Sequence, residues 1–589
     1  MSTSLIVRRD LDFLLHDWLK IESLAAQQRH ADLTRESVDA MLDLSEKLAR
    51  EHFLTHYKRA DVEEPRLDAD GVHICPEVTQ ALRQYAEVGL FSAGFSPDLG
   101  GSGLPYLLTS ASFAYFAAAN VATSGYAMLT VANARLIVSF GSSAQIETFA
   151  RPQIDGRWFG TMCLSEPQAG SSLGDVRTRA EPAGADELGE RYRLTGNKMW
   201  ISGGDQDASE NIVHLVLAKV PGADGRLPEG TAGLSLFIVP KILPDGSRND
   251  VGVAGLNHKM GYRGTANCLL NFGEHGGAIG WRVGQPGLGL MQMFQMMNEA
   301  RIGVGLGAAA LGYRGHRLSV TYARERLQGR AIGVRTGAPV PLIEHADVKR
   351  MLLAQKAYAE GALALCLYCA KLVDEEGNAG SAELLGLLTP VAKTWPSEYG
   401  LAANDIAIQI HGGYGYTRDF DVEQLLRDNR LNPIHEGTTG IQAIDLLGRK
   451  ILRDSGRGMA ELGRRMIDTT ARSQGVPEFA PHAAALKRAV TQINDSLAPL
   501  RQQVANAAFD NATPFLWAFG HVVVAWLWLE QAVAARSLDV KTTDERTFID
   551  GKLRACRYFF ECELPKIDAW LGVVASRTDV ASGAPPEIF

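Results

Sequence analysis

From about Trp158 to about Gly280 the chain changes its period, and this change limits the folds open to it. The runs "YRLTGNKMWISGG", "NIVHLVLAKV", "GLSLFIVPK" and "TANCLLNFG" are short, β-branched and apolar, with Gly, Pro and Asp clusters between them. They read as strands separated by turns. No segment long enough for a helix divides them, so an antiparallel sheet or small barrel is expected rather than βαβ units. On either side the pattern is helical. Before it come "ESVDAMLDLSEKLAREHFLTHY" and the Ala-rich "LLTSASFAYFAAANVATSGYAML", with "FSPDLGGSGLP" as a loop between them. Helical patterning returns at "GLGLMQMFQMMNEARIGV" and runs to about Arg453. After the linker-like "RDSGRG", a further helical section extends from about 459 to 570. At 589 residues the chain exceeds what one core supports, and roughly three or four domains are expected. The expected fold is therefore mainly α with a middle β-domain: a helical N-terminal domain over 1–158, the β-domain over 159–280, a helical bundle over 281–455 and a helical C-terminal extension over 456–589.

A net charge of −8 gives no general attraction to nucleic acid or to an anionic membrane. The seven cysteines are odd in number and set in apolar surroundings, which fits a reducing compartment, the cytoplasm, and no disulfide framework. Cys366 and Cys369 form a CxxC inside "GALALCLYCAKLV", but no second pair lies nearby. Core packing is the expectation, and no metal is expected. The N-terminal "MSTSLIVRRDLDFLLHDWL" carries Asp10, Asp12 and Asp17 and reads as an amphipathic helix, not a secretory signal. The apolar run "PFLWAFGHVVVAWLWL" contains His521 and falls short of the ~20 residues of a bilayer span, so a buried helix is expected.

Several short stretches hold groups able to do chemistry. "GLGAAA", Gly305 to Ala310, satisfies a loose dinucleotide fingerprint, but helical periodicity precedes and follows it. That motif works only when a strand feeds it, so close packing of two helices explains these small residues better. "TMCLSEPQAGSS" ends a strand-like run in Ser165 and then turns into two serines. It suits either a ring edge or phosphate, or an ordinary hairpin loop. In "NKMWISGG", strand alternation places Trp200 and Ser202 on one side. An aromatic plate beside a hydroxyl suits a flat ligand. "IQIHGGYGYTRDF" offers glycines where backbone N–H groups can approach a ligand, or simply a helix C-cap and turn. Finally, in "NPIHEGTTGIQ" Pro433 ends one helix and Thr438 or Thr439 caps the next. Glu436 sits just before that helix. The dipole favours its ionised form, whereas burial opposes it. It is either a solvated turn acid or a tuned general base.

Four of these segments, "CLSEPQAGSS", "NKMWISGG", "QIHGGYGYTRDFDVEQLLRDNRL" and "NPIHEGTTGIQ", together with "YARERLQGR", resemble the acyl-CoA dehydrogenase family in order and approximate spacing. The resemblance covers most of residues 75 to 455. "RDLDFLLHDWL" and the section after 459 are similar to a longer bacterial branch with an extra C-terminal domain. That branch includes enzymes acting on 3-methylmercaptopropionyl-CoA and on fatty acyl-CoAs. The resemblance implies an FAD held between the β-domain and the helical bundle. It also implies α,β-dehydrogenation of a saturated acyl-CoA to the trans-2-enoyl-CoA, with Glu436 taking the α-proton as the β-hydride passes to flavin N5. By the same carry-over, Leu164, Ser165, Gly170 and Ser171 approach the flavin ring edge and pyrophosphate. Trp200 stacks on the ring and Ser202 approaches N5. Arg326, Gln328, Gln409, Gly412 and Gly413 reach the FAD of a neighbouring subunit, and Thr438 reaches its phosphates. Ser171, Asn298 and Arg301 fall where family members bind the CoA portion. Three positions depart from the common pattern: Gly440 replaces Gln, His435 replaces Tyr and Asn298 replaces Asp. The resemblance further implies an electron-transferring flavoprotein as acceptor and a homodimer. Acyl-CoA oxidases, which pass electrons to oxygen, share the same core.

Overall fold

In the computed structural model, residues 5–375, 377–378, 380–501 and 507–589 are described; the side chains of 295–298 and of 507 lie outside that description. By its contacts the chain divides into two units. One gathers residues 39–105 and 115–300, the other residues 1–38, 106–114 and 301–589.

The first unit holds the strands. Arg66–Asp68 (β1) and Gly71–His73 (β2) make a small hairpin that the sequence did not announce. The larger sheet contains Trp158–Cys163 (β3), Arg179–Asp186 (β4), Gly189–Ser202 (β5), Asn211–Lys219 (β6), Leu234–Pro240 (β7), Val251–Leu256 (β8), Asn267–Phe272 (β9) and Ala278–Val283 (β10). Its order is β10-β7-β6-β4-β5-β9-β8, and β10 also pairs with β5. The pairings return on themselves through β10 and β5, so of the antiparallel sheet and small barrel left open by the sequence, the closed form is found. Every residue of β6 and β7 is buried. Strands covered on both faces read as continuous apolar runs, and these two did.

One expectation is corrected. β3 lies parallel to β6, from Trp158 opposite Asn211 to Cys163 opposite Val216. Parallel neighbours need a crossover connection. Here the β4–β5 hairpin supplies it, so no helical run signals the parallel pair. Asn133, on the Tyr106–Phe140 helix, donates to the carbonyls of Thr161 and Val213, both at 2.9 Å. This single buried amide ties the helix to both parallel strands. Beneath the helices, Phe53, Tyr85, Phe91 and Phe116 pack edge to face with centroids 4.9–5.0 Å apart, a geometry that suits the ring quadrupoles.

The second unit is helical. The N-terminal segment is helical from Arg8 to Trp18, and Phe13, Leu14 and Leu15 are buried. The Ser381–His411 helix contains Pro390 and Pro396. A proline removes the bond to the carbonyl four residues back, so Pro396 frees Ala392 O. The Cys366 thiol approaches that oxygen at 3.8 Å. A Cβ on Gly305 would fall 1.9 Å from the same oxygen. "GLGAAA" therefore lies within the Gly289–Glu325 helix and lets two backbones meet, as the periodicity implied. Cys366 and Cys369 are buried and free, in the core of the Ala346–Asp374 helix.

The run around His521 lies in the Ala512–Arg536 helix. By length and composition this helix and Tyr106–Phe140 are both apolar enough to cross a membrane, but 83% and 67% of their most apolar windows are buried in the fold. Two of the helix's indoles find partners: Trp526 donates to Thr469 Oγ1 at 2.8 Å and Trp528 to Ala357 O at 3.2 Å. In return His521 Nδ1 accepts from Trp395 at 3.2 Å.

Candidate active site

Glu436 occupies a turn built for it in the helical unit. The Asp421–Asn429 helix stops short of Pro433, and Thr438 caps Thr439–Ile444 by accepting from Ile441 N. Of the two threonines left open by the sequence, Thr438 is the cap. Glu436 itself has φ +52°. A left-handed non-glycine residue stores strain and persists only where its surroundings fix it. Here Gln442 Nε2 donates to Glu436 O at 2.9 Å, and Lys393 Nζ donates to Gly437 O at 2.7 Å. Gly437 has φ +88°, and a Cβ on it would strike Gln442 at 2.6 Å.

The side chain of Glu436 is half-buried. Burial raises its pKa above the ordinary carboxylate range, against the positive charges of Arg301 and Lys393. The competition posed by the sequence is thus decided for burial. His435 is pushed down to about 3, by burial and then by the Lys393 charge, and is neutral. Arg301, expected at the CoA portion, is buried and holds Asp445 at 2.9 Å. The side chain of Asn298 lies outside the described residues.

A second group in the same unit is exposed. Gln409 ends the Ser381–His411 helix, and Gly412 and Gly413 open the turn after it. Gly412 has φ +63°, and a Cβ on either glycine would meet nothing within 4 Å. The Arg326 guanidinium lies over the Tyr414 ring at 5.7 Å, which brings Arg326 to the glycine turn. Gln328 N donates to Val340 O, and His345 Nε2 lies 2.7 Å from Gln328 O.

In the β-containing unit the structure brings "CLSE" and "NKMWIS" together. Met199 N donates to Ser165 O at 3.0 Å, and Lys198 Nζ donates to Leu164 O at 2.9 Å. Lys198 also pairs with Glu166 at 3.0 Å, both side chains being buried. Glu166 accepts further from the N–H groups of Arg177 and Thr178 and from the Thr178 hydroxyl. Burial pushes this carboxyl up, but the Lys198 charge and these donors outweigh it and hold it at about 2. The turn beyond is a narrow hairpin, with Glu166 and Ala169 exchanging backbone bonds, and Gly170 and Ser171 follow it exposed.

Trp200 is 58% exposed at φ +66°. The pairing with β9 shifts register between Lys198 and Ile201. This bulge breaks the alternation that put Trp200 and Ser202 on one side, so that placement does not follow from strand period. Ser202 Oγ accepts from Asn267 Nδ2 at 3.2 Å.

Among the described residues only Lys20, Trp200, Tyr262, Glu436 and Arg577 are non-glycines with positive φ. Two of the five are residues the sequence had singled out. Sequence reasoning missed Glu166, Lys198 and Lys393. Of the three, only Lys393, in "LLGLLTPVAKTW", is a charge set in a largely apolar run.

Comparison with known proteins places the chain. Family models match its successive segments: acyl-CoA dehydrogenase N-terminal domain over 36–157, middle domain over 161–274, C-terminal domain over 287–452, and acetyl-CoA dehydrogenase C-terminal like over 463–585. The 3-methylmercaptopropionyl-CoA dehydrogenase of Ruegeria pomeroyi is 33% identical over 95% of this chain and 96% of its own. The broad-specificity linear acyl-CoA dehydrogenase FadE5 of Mycobacterium tuberculosis is 32% identical over 96% of each. In structure, Caenorhabditis elegans ACDH-11, solved with C11-CoA, aligns with a TM-score of 0.77 at 23% identity, over 98% of this chain and 94% of that one. An FAD-complexed acyl-CoA dehydrogenase from Bacillus anthracis aligns with a TM-score of 0.75 at 20% identity, over 92% and 88%. The helical and β segments, their order and full-length relatives of this similarity all agree, and the chain belongs to the acyl-CoA dehydrogenase family of oxidoreductases.

Proposed function

We propose that this enzyme dehydrogenates a saturated acyl-CoA thioester to its trans-2-enoyl-CoA, with Glu436 as the base that takes the α-proton. The observation that carries the reading is the Glu436 turn: a strained, left-handed carboxylate, half-buried, with its pKa raised. A raised pKa makes proton uptake more favourable than at an ordinary Glu. The Glu436 backbone N–H is assigned to the thioester carbonyl, where a donor stabilises the charge that develops as the proton leaves.

The family is FAD-dependent, and the residues present fit that group. An exposed indole at Trp200 offers a stacking face, and Gly170, Gly412 and Gly413 leave open space over their backbones. Leu164, Ser165, Gly170, Ser171, Trp200 and Ser202 are assigned to it in the β-containing unit; Arg326, Gln328, Gln409, Gly412, Gly413 and Thr438 in the helical one. When bound, FAD accepts the electrons removed from the acyl chain. Because Arg326, Gln328, Gln409 and the two glycines are exposed in one chain, we assign them to the cofactor of a second copy, in a homodimer. Ser171, Asn298 and Arg301 remain the assignments for the CoA portion. The division at 158, 280 and 455, a cytoplasmic location and an electron-transferring flavoprotein as acceptor belong to the same reading.

Glu436→Gln should keep FAD and the fold while abolishing substrate-dependent flavin bleaching; undiminished bleaching would sink the assignment. For the substrate, the relatives' names point to 3-methylmercaptopropionyl-CoA or to linear acyl-CoAs, and a short- to medium-chain acyl group is our reading. Acyl-CoAs of graded length and 3-methylmercaptopropionyl-CoA, assayed with an artificial acceptor, resolve the choice. Oxygen consumption in the same assay separates an oxidase.

A further inference from the structure

Lys393 is fully buried, yet it is a lysine in the middle of an apolar helix. Its ammonium has three donors. Among the described residues the Gly437 carbonyl, at 2.7 Å, is its only hydrogen-bond acceptor, and it makes no ion pair within 4 Å. An ammonium buried this way, with one acceptor and no ion pair, costs free energy. The charged groups around it are few. Arg301 pairs with Asp445 at 2.9 Å, a carboxylate that Arg449 shares at 2.8 Å, and Glu398 accepts from Thr439 Oγ1 at 2.5 Å. His435 is neutral. Among the described residues Lys393 thus stands beside this turn without a paired carboxylate, and Glu436 stands on the turn it holds.

We propose that Lys393 is the positioning residue of the Glu436 base: it pins the Gly437 carbonyl, so fixing the left-handed turn, and keeps a positive charge behind the carboxylate. Gln442 holds the Glu436 carbonyl and Lys393 the next one. The peptides on either side of Gly437 are thereby clamped, which fixes the Gly437 torsions and anchors the carbonyl end of Glu436. The charge opposes the upward push of burial on the Glu436 carboxyl, as the charge of Arg301 also does. Consistently, burial pulls Lys393 down to about 8, while Glu436 and Glu398 pull the other way. Lys393 thus remains mostly charged at neutral pH.

This inference rests on Glu436 being the base, and the test separates the two. Lys393→Met, Lys393→Arg and Glu436→Gln are compared for FAD content, denaturation midpoint and the pH profile of kcat and kcat/KM. Lys393→Met should retain FAD, lose about tenfold or more in kcat, and shift the acidic limb upward by about one pH unit or more as the cation goes. Lys393→Arg should leave that limb in place. A Lys393→Met enzyme with the wild-type limb and kcat, and only a lowered denaturation midpoint, overturns the proposal and leaves a structural lysine. If Lys393→Met does not fold, Lys393→Arg decides: a limb that moves although the charge is kept overturns it. Flavin bleaching by Glu436→Gln overturns the base assignment and this inference together. A dead Glu436→Gln beside an unmoved Lys393→Met overturns this inference alone.

Discussion

The ammonium of Lys552, in the C-terminal extension, lies 2.9 Å from the carboxylate of Glu360, 192 residues away along the chain. It also pairs with Asp10 at 2.5 Å, and Tyr313 donates its hydroxyl to Asp10 at 2.6 Å. The N-terminal segment, the central helices and the extension thus meet on one buried cation. Glu360 keeps Lys356 as a second partner, whereas Asp10 does not. Removing one member of a buried ion pair leaves an uncompensated charge, which costs about 3–5 kcal/mol. Lys552→Met should destabilise the helical unit by that amount in urea unfolding. Adding Asp10→Asn should return part of it, because Asp10 is the carboxylate that Lys552→Met leaves without a cation, whereas Glu360 keeps Lys356.

Glu166 makes the β-containing unit sensitive to acid. Its folded pKa, about 2, lies below the ordinary 4.5. A depressed carboxyl adds stability that is complete above the unfolded pKa and is lost as pH falls through the folded one. The loss should therefore fall between about pH 4.5 and 2, and amount to about 3 kcal/mol for this group. Tryptophan fluorescence during acid titration reads it. Glu166→Gln should start less stable at pH 7, since Lys198 loses its counter-ion, and should show a flatter decline over that window.

What the sequence made legible was what local pattern controls. The change of period at Trp158, the Thr438 cap and the helical setting of "GLGAAA" all depend on residues a few positions apart. Glu436 stood out by its turn, and the turn is there. Lys393 did not stand out, because its partner Gly437 is 44 residues distant and only the folded helix pair shows the contact. The same holds for Lys552, Glu360 and Asp10. Trp200 was singled out for its aromatic face, but the strand alternation used to orient it does not hold there. The bulge beside it is set by the register with β9, which no period within "NKMWISGG" encodes.

Trp200 offers a test of strain kept for binding. A left-handed conformation costs a non-glycine residue about 1–2 kcal/mol, and the exposed indole gains little packing in return. Trp200→Gly should leave the FAD-free protein as stable as wild type or up to about 1 kcal/mol more so, the glycine's extra chain entropy offsetting part of the relief. FAD affinity should fall at least about tenfold, near 1.4 kcal/mol. Trp200→Phe, which keeps a ring, should lose less. Flavin titration and urea unfolding of the same samples give both numbers. A glycine variant that binds FAD normally removes Trp200 from the site.

His435 ends a chain of buried amides whose direction is fixed by backbone carbonyls. Asn404 Nδ2 donates to Leu311 O at 2.9 Å, and Asn429 Nδ2 donates to Ala308 O at 3.1 Å and to Asn404 Oδ1 at 2.7 Å. Asn432 Nδ2 donates to Asn429 Oδ1 at 2.9 Å, which leaves Asn432 Oδ1 facing His435 Nε2 at 3.0 Å. A carboxamide oxygen only accepts, so Nε2 carries the proton and Nδ1 is the acceptor. With its pKa near 3, this imidazole should not titrate between pH 5 and 8, and no limb of the activity profile should belong to it. Nitrogen NMR of labelled histidine should show one His435 tautomer, protonated at Nε2, throughout that range. Asn432→Leu removes the acceptor and should let the second tautomer appear. An imidazole that titrates near 6.5 in the wild-type enzyme would mean that the amide chain does not hold it, and that the residue beside Glu436 changes charge during turnover.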